Sequence, residues 1–158
     1  MRFDIAVQTL VDAGVDFVLI GGWAAILNGS ARTTRDLDLC YARTPENHRR
    51  LAAALSPFRP RPREFPAELP FVWDAATLNN GTLFTLSTTL GSIDLLAEVS
   101  GLGSFEQVKA SAKLVQAFDR SVWTLDLRGL IDSKRAAGRP KDLQALPELE
   151  SLLETLDD

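Results

Sequence analysis

The chain has 158 residues, a length that suits one domain with a core of ordinary size. Hydrophobic residues make up 46% and charged residues 24%, and no apolar run approaches the roughly 20 residues that span a bilayer. The formal net charge of −4 argues against a dedicated nucleic-acid-binding protein. A single cysteine, Cys40, excludes an internal disulfide. We therefore expect a cytoplasmic protein without a membrane segment, in which Cys40 is a buried strand residue.

The first half of the chain alternates between helical and strand patterns. Apolar residues recur at helical spacing near the N-terminus, and two short apolar runs are typical of buried strands. The predicted elements are a helix at 3–13, a strand at 15–20, a tight turn at 21–22 with a short helix after it, a strand at 36–41 and a helix with Thr44 as its N-cap and Pro45 at its first position.

The second half begins with a proline-rich segment, residues 57–70, whose five prolines predict an extended loop rather than a helix. After it the pattern predicts a hairpin over 82–99, strands at 113–118 and 121–127, a helix from the N-cap Asp126 to Ala137 and a last helix from Pro140. The fold class is therefore α/β (α+β): one domain over residues 1–158, with its core at about 15–150, built as a small mixed β-sheet with flanking helices.

Two aspartates interrupt the apolar strand at 36–41. Side chains alternate between the faces of a strand, so Asp36 and Asp38 share one face and the leucines between them lie on the other. Two carboxylates on one face repel each other, and burial raises that cost. The face is either wet, as a surface with ordinary polar residues would be, or it carries a cation. If the strand with Asp94 lies beside this one, the three carboxylates form one acidic cluster.

Two further features are weak when taken alone. Gly21 and Gly22 stand where a strand turns into a helix, and a helix N-terminus with glycines can cradle a phosphate, although most glycine pairs are only turns. Eight arginines lie between Arg32 and Arg63, which fits either a basic loop or an anion site. His48 lies beside two arginines on a predicted helix, so we expect it to be solvated.

Together these features resemble the nucleotidyltransferase superfamily of the polymerase-β type. The stretch LIGGWAAILNGSARTTRDLDL is similar to the GG-x₆-HG-x₂-R-x-T-x-D-[IL]-D pattern of the toxin-like, AbiEii-related nucleotidyltransferases, and GSIDLL resembles their third-aspartate strand. The stretch LRGLIDSKRAAGRPKDLQAL resembles their late L-x₂-LI-x₂-K-x₃-GR-x-KDL segment. The chain departs from these relatives at Gly22, where many members of the superfamily carry serine, and at Asn28, where histidine is common.

The resemblance implies transfer of a nucleoside monophosphate from an NTP to an acceptor hydroxyl, with one or two Mg²⁺ ions. It assigns catalysis to Asp36, Asp38, Asp94 and Lys134, metal binding to Asp36, Asp38 and Asp94, and nucleotide binding to Gly21, Gly22, Arg32, Thr34 and Lys134. Two alternatives stay open: Arg32 either binds phosphate or holds the loop before its strand, and Asp94 either binds a second metal or takes the acceptor's proton. We favour an inter-helix cap and ion pair over catalysis for Arg139, Lys141 and Asp142.

Three functions follow from the resemblance. In the first, the chain transfers the nucleotide to an RNA, such as a tRNA 3′ end, as the toxin-type relatives do. In the second, the acceptor is a small molecule or a protein side chain. The third alternative is a non-catalytic module, one half of a toxin–antitoxin pair with an antitoxin protein as its partner. We expect the segment 57–70 to contact the acceptor.

Overall fold

A computed structural model describes residues 1–157, and for residue 157 only the backbone; the last residue of the predicted domain, Asp158, lies outside it. The helices are α1 (Phe3–Asp12), α2 (Gly21–Leu27), α3 (Pro45–Leu55), α4 (Ala75–Asn79), α5 (Phe105–Ala110), α6 (Leu127–Ala137) and α7 (Pro140–Asp157), with a 3₁₀ turn at Ser56–Phe58. The strands are β1 (Phe17–Ile20), β2 (Asp36–Tyr41), β3 (Arg61–Pro62), β4 (Leu83–Thr88), β5 (Gly91–Leu96), β6 (Glu98–Val99), β7 (Gly103–Ser104), β8 (Ala112–Ala117) and β9 (Arg120–Leu125).

Seven strands form one mixed sheet in the order β3-β4-β5-β2-β1-β9-β8, and β6 and β7 form a separate two-stranded ribbon. The central strand β2 runs antiparallel to β1 and parallel to β5. Hairpins β4–β5 and β8–β9 supply the flanks. The predicted single α/β domain with a small mixed sheet and flanking helices is therefore confirmed.

A separate hydrophobic cluster covers each face of the sheet. One cluster joins the odd-numbered side chains of β2, such as Leu37 and Leu39, to α1 and α3. The other joins Cys40 and the even-numbered face to α2, α5, α6 and α7. The aspartates of β2 therefore belong to the face that these four helices cover, and Cys40 is buried in its strand as expected.

Most predicted element boundaries agree with the structure within two residues. The Thr44 side chain accepts a hydrogen bond from the backbone of Asn47, and Asp126 caps α6 in the same way. Some details differ from the prediction, and helices α4 and α5 and the ribbon β6–β7 were not predicted. Helix α2 begins at Gly21 itself, and the proline-rich segment is not wholly a loop, because Arg61–Pro62 pairs with β4 as an edge strand. Among residues 1–157, no helix is long and apolar enough to cross a membrane.

The expectation for His48 was wrong. The residue is 3% exposed. Its ring packs against Tyr41 with ring centroids 5.8 Å apart, and its Nδ1 shares a hydrogen bond with Oδ1 of Asn79. The neighbouring arginines suggested a wet helix face, but α3 turns His48 toward α4 and the sheet. The side chain therefore joins two helices rather than facing solvent.

Asn47 links the start of β1 to the residue after β2. Its side chain is buried; it accepts a hydrogen bond from the backbone N–H of Asp16 at 2.7 Å and donates to the carbonyls of Asp16 at 3.1 Å and Ala42 at 2.8 Å. A buried amide with three such bonds stabilises the pairing of the two central strands.

Replacing this amide tests that link. We expect Asn47→Ala to lower the free energy of unfolding by about 2–3 kcal/mol, because it leaves buried backbone groups without partners. The control is Glu46→Ala, which removes only an exposed ion pair to Arg50 and should change stability by less than about 0.5 kcal/mol. Urea denaturation of the three proteins measures both effects, and equal losses would show that Asn47 carries no special share of the fold's stability.

Candidate active site

The two parallel strands β2 and β5 bring Asp38 and Asp94 side by side. Asp38 lies directly opposite Asp94 in the register. Because side chains alternate, Asp36 and Asp38 share the face of Cys40, and Asp94 shares the face of Leu96. The structure thus places all three predicted carboxylates on one face of adjacent strands.

Asp38 has the most perturbed environment of the three. Burial, the charge of Asp94 and a hydrogen bond shared with Asp94 raise the pKa of Asp38 to about 7; the charge of Asp36 adds to the rise and the charge of Lys134 opposes it. One of its oxygens, Oδ1, is buried without a hydrogen-bond partner among the described residues. At neutral pH this carboxyl is therefore poorly compensated by the chain itself.

Gly21 is required by the space beside Asp38. The last residue of β1, Ile20, pairs with Asp38, so the turn that follows passes next to the carboxylate. Gly21 has a φ of +65°, and a Cβ atom there would lie 2.3 Å from Oδ2 of Asp38. A side chain is excluded by both conformation and contact. The backbone of the first turn of α2, which has no side-chain cap, can therefore approach whatever binds at Asp38.

Gly22 and Thr34 contact each other. A Cβ atom on Gly22 would lie 2.6 Å from both Cβ and Oγ1 of Thr34. The Thr34 hydroxyl also donates to the carbonyl of Asp36 at 3.2 Å. These contacts show how the loop before β2 packs on α2, while nucleotide binding by Gly22 and Thr34 stays a prediction.

Helices α6 and α7 hold two cations near Asp38. The buried carboxylate of Asp142 accepts from Nε of Arg139 at 2.7 Å and from Nζ of Lys134 at 3.4 Å. Burial favours the protonated form of Asp142, but the hydrogen bonds from Arg139 and the charge of Lys134 outweigh it, and its pKa lies below the usual value. The expected inter-helix cap and ion pair is present between Arg139 and Asp142, while Lys141 is exposed. The contact with Asp142 holds Lys134 at a position from which its charge also acts on Asp38.

Arg63 is the site residue that the sequence analysis did not single out. Its Nη2 lies 2.6 Å from Oδ1 of Asp94, and its Nη1 donates to the carbonyl of Leu86 at 3.0 Å. It belongs to the proline-rich segment 57–70, for which only acceptor contact was expected. The run of arginines was a signal, but the pairing of β3 with β4 decides which arginine reaches the carboxylate.

Arg32 contacts α7. Its guanidinium donates to the carbonyl of Gln144 at 2.9 Å and lies 3.8 Å from Glu148. Glu148 also accepts from the Ser30 hydroxyl at 2.6 Å and the Ala31 N–H at 3.0 Å. Of the two alternatives for Arg32, these contacts favour the one in which it holds the loop before β2.

The donor set fits a divalent cation that arrives with a nucleotide. Carboxylate oxygens are the ligands that Mg²⁺ prefers, and this ion is commonly bound by one or two carboxylates together with substrate phosphates. The partnerless oxygen of Asp38 and the neighbouring carboxylate of Asp94 fit this kind of ligand set. Within residues 1–157, however, no group of three or more carboxylate, imidazole or thiolate side chains is arranged to hold a metal by itself. The arrangement therefore suits a shared metal–triphosphate site rather than a closed protein cage.

Solved structures with the same architecture point to one fold. A Thermotoga maritima protein provisionally assigned as a nucleotidyltransferase has 13% identity and a TM-score of 0.53, with 99% of this chain and 89% of that chain covered. ANT(2″)-Ia in complex with adenylyl-2″-tobramycin has 15% identity and a TM-score of 0.58, with 95% and 91% covered. The lincomycin-bound lincosamide adenylyltransferase LnuA has 14% identity and a TM-score of 0.56, with 96% and 98% covered.

This chain has the nucleotidyltransferase fold. Neither a protein-family model nor a curated protein sequence matches it significantly. At identities of 13–15% the likeness establishes the fold alone, and the AbiEii-related subgroup is not shown. The roles of the site residues consequently depend on their geometry.

The raised pKa of Asp38 predicts a pH-dependent stability. Because the folded chain binds this proton more tightly than an ordinary carboxyl with a pKa of 3.8 does, the free energy of unfolding falls as pH rises from that value toward about 7. In EDTA, we expect Asp38→Asn to be more stable than the wild type at pH 7.5, with a gain about 2 kcal/mol larger than at pH 5. Urea denaturation at both pH values measures this difference.

Asp12 is the control, because its effect on stability changes with pH in the direction opposite to that of Asp38. The hydrogen bond from Arg120 lowers the pKa of Asp12, so this carboxylate stabilises the fold at neutral pH and ceases to do so in acid. Asp12→Asn should therefore lower stability at pH 7.5 more than at low pH. If Asp38→Asn behaved like Asp12→Asn, the buried and uncompensated state of Asp38 would be refuted.

Proposed function

We propose that the chain is a nucleotidyltransferase that moves a nucleoside monophosphate from an NTP to an acceptor hydroxyl. The acceptor oxygen forms a bond to the α-phosphorus, the bond from that phosphorus to the β-phosphate oxygen breaks, pyrophosphate leaves and the hydroxyl loses its proton. The observation that carries the proposal is the pairing of Asp38 with Asp94 directly beside the side-chain-free turn at Gly21.

Each group has a role that its position supports. Asp36 and Asp38 would hold Mg²⁺, which when bound neutralises the triphosphate and polarises the α-phosphate. Asp94 lies beside Asp38 and would either complete the metal site or accept the proton of the attacking hydroxyl. The backbone amides of Gly21 and Gly22 would approach the phosphates. A Cβ atom at Gly21 would clash with Asp38 and one at Gly22 with Thr34, so this turn passes close to both residues.

Lys134 is proposed to bind the triphosphate. Its ammonium group is partly exposed and held by Asp142, and its charge reaches Asp38. A lysine fixed by a buried carboxylate is positioned before the ligand arrives and loses little conformational freedom on binding. Arg32 is engaged with α7, so we propose it as a structural support of the nucleotide site rather than a phosphate ligand.

Nucleotide binding tests the donor site. In calorimetric titrations with each of the four NTPs, we expect binding that requires Mg²⁺ and is lost in the double variant Asp36→Ala/Asp38→Ala. Lys134→Ala should weaken the affinity for the preferred NTP about tenfold, because one charge-assisted contact is removed. The matched control is Arg135→Ala on the same helix, whose side chain pairs with Glu150 at an exposed site and should leave the affinity unchanged.

The absence of Mg²⁺-dependent binding to any NTP would contradict the proposal. In that case the non-catalytic alternative, a nucleotidyltransferase fold acting as one partner of a toxin–antitoxin pair, would become the preferred one. Binding that persisted unchanged in the double variant would place the nucleotide elsewhere on the chain.

A small-molecule acceptor fits the structure better than RNA. Five of the eight arginines between Arg32 and Arg63 make contacts within the chain, so the stretch is not a bare phosphate-binding surface; they are Arg32, Arg43, Arg50, Arg61 and Arg63. Two of the structures with the same fold are adenylyltransferases crystallised with an adenylylated antibiotic or an antibiotic. An RNA acceptor such as a tRNA 3′ end is the second candidate, supported by the total of basic residues in this stretch.

Salt dependence separates the two acceptors. With a small-molecule acceptor, we expect the protein to show no tRNA binding in filter-retention assays between 50 and 200 mM salt, settings at which an RNA-binding protein with several phosphate contacts changes its affinity by about a thousandfold. Labelled NMP transferred to total tRNA, with binding that weakens steeply as salt rises, would instead establish the RNA acceptor. The Asp36→Ala/Asp38→Ala variant controls for transfer by a contaminating enzyme.

A further inference from the structure

Arg63 forms an ion pair with Asp94, one of the carboxylates that the proposed reaction needs. Its backbone N–H donates to the carbonyl of Thr85 at 2.8 Å, and its guanidinium donates both to the carbonyl of Leu86 at 3.0 Å and to Oδ1 of Asp94 at 2.6 Å. Its side chain is 29% exposed and that of Asp94 is 19% exposed. Three bonds to neighbouring elements distinguish this ion pair from the flexible surface pairs of the chain.

The pair lies where negative charge accumulates. Asp94 contacts Asp38, and Asp36 adds a further charge on the same face. The charges of Lys134 on α6 and of Arg139, in the link between α6 and α7, also act on Asp38. Arg63 directly follows the edge strand β3 and bonds to Asp94 itself. Its position is thus that of a cation already resident in the acidic site.

A divalent cation at Asp94 would compete with the Arg63 guanidinium for the negative charge of this carboxylate. Two cations close to each other repel, and Oδ1 of Asp94 is already used as a hydrogen-bond acceptor. We infer that Arg63 is a positioning residue whose guanidinium is bound to Asp94 before any metal arrives. A divalent metal must therefore displace Arg63 from Asp94, or share Asp94 with Arg63, in order to bind. This inference rests on the proposed nucleotidyltransferase function, because it needs a divalent metal at Asp38 and Asp94.

If the inference is correct, removing the Arg63 side chain strengthens metal binding. If Arg63 only supported the structure of the site, its removal would weaken metal binding. In Mn²⁺ titrations of the full chain without nucleotide, followed by electron paramagnetic resonance, we expect Arg63→Gln to bind about fivefold more tightly than the wild type. Asp94→Asn should bind more weakly. Unchanged or weaker Mn²⁺ binding by Arg63→Gln would overturn the inference.

Two further variants serve as controls. Arg61 lies in the same segment but donates to the carbonyls of Pro66 and Leu69, so Arg61→Gln should leave Mn²⁺ affinity unchanged. Arg63→Lys keeps a cation near Asp94 and should show an affinity close to that of the wild type. If Arg61→Gln tightened binding as much as Arg63→Gln does, the effect would be one of net charge and the inference would fail.

A second measurement applies to the unmodified chain, in case Arg63→Gln does not fold. In heteronuclear NMR spectra, the Nε–Hε signal of Arg63, assigned with the Arg63→Lys variant, should move as Mg²⁺ is added, while the signal of Arg61 should not. No movement of the Arg63 signal at saturating Mg²⁺ would overturn the inference.

The same data separate this inference from the proposed function. Metal binding that is normal in the wild type and unaffected by Arg63→Gln would remove the inference and leave the function standing. Failure of both proteins to bind Mn²⁺ would overturn the inference and leave the function to the NTP titrations, because the proposed metal arrives with the triphosphate. Binding by Arg63→Gln alone would support both, since the resident cation would then exclude the metal until nucleotide is present.

Discussion

The contact between Asp38 and Asp94 sets the conditions for the rest of the structure. Parallel pairing of β2 with β5 forces these two carboxyls together on a covered sheet face. Such a pair is unfavourable unless a proton or a cation compensates it, and the pKa of Asp38, raised to about 7 first by burial and then by Asp94, shows that the chain compensates it incompletely. A site that is costly for the fold alone is typical of a place where function, rather than stability, determines the residues.

The surrounding elements approach this pair from three directions with different chemistry. The turn at Gly21 approaches with backbone only, because Oδ2 of Asp38 leaves no room for a Cβ atom. Helix α6 contributes Lys134, whose ammonium group is held by the buried Asp142 at the start of α7. The segment directly after the edge strand β3 contributes Arg63. The result is a site with an open backbone side, where a polyanion could bind, between two fixed cations.

Much of this site could be predicted from local rules. Strand alternation placed Asp36 and Asp38 on one face, and the cap residues Thr44 and Asp126 marked helix starts correctly. These predictions succeeded because each depends on a few neighbouring residues. The pairing of the Asp94 strand with β2 was stated only as a condition, since strand order depends on contacts between distant parts of the chain.

Arg63 and His48 show where such reasoning stops. Eight arginines lie between Arg32 and Arg63, and only the two-residue pairing of β3 with β4 directs the last of them to Asp94. His48 has charged neighbours in sequence, yet its ring is buried beside Tyr41 because α3 presents that side to α4. Both outcomes depend on tertiary packing, which overrides the local composition.

We propose that the Asp38–Asp94 pair is the binding site of a metal–triphosphate complex. Crystals grown with Mn²⁺ and a non-hydrolysable NTP analogue test it most directly, through the anomalous scattering of manganese. We expect an anomalous peak in contact with the Asp38 carboxylate, and triphosphate density beside the turn at Gly21. An analogue bound elsewhere on the chain, with no manganese at Asp38, would contradict it.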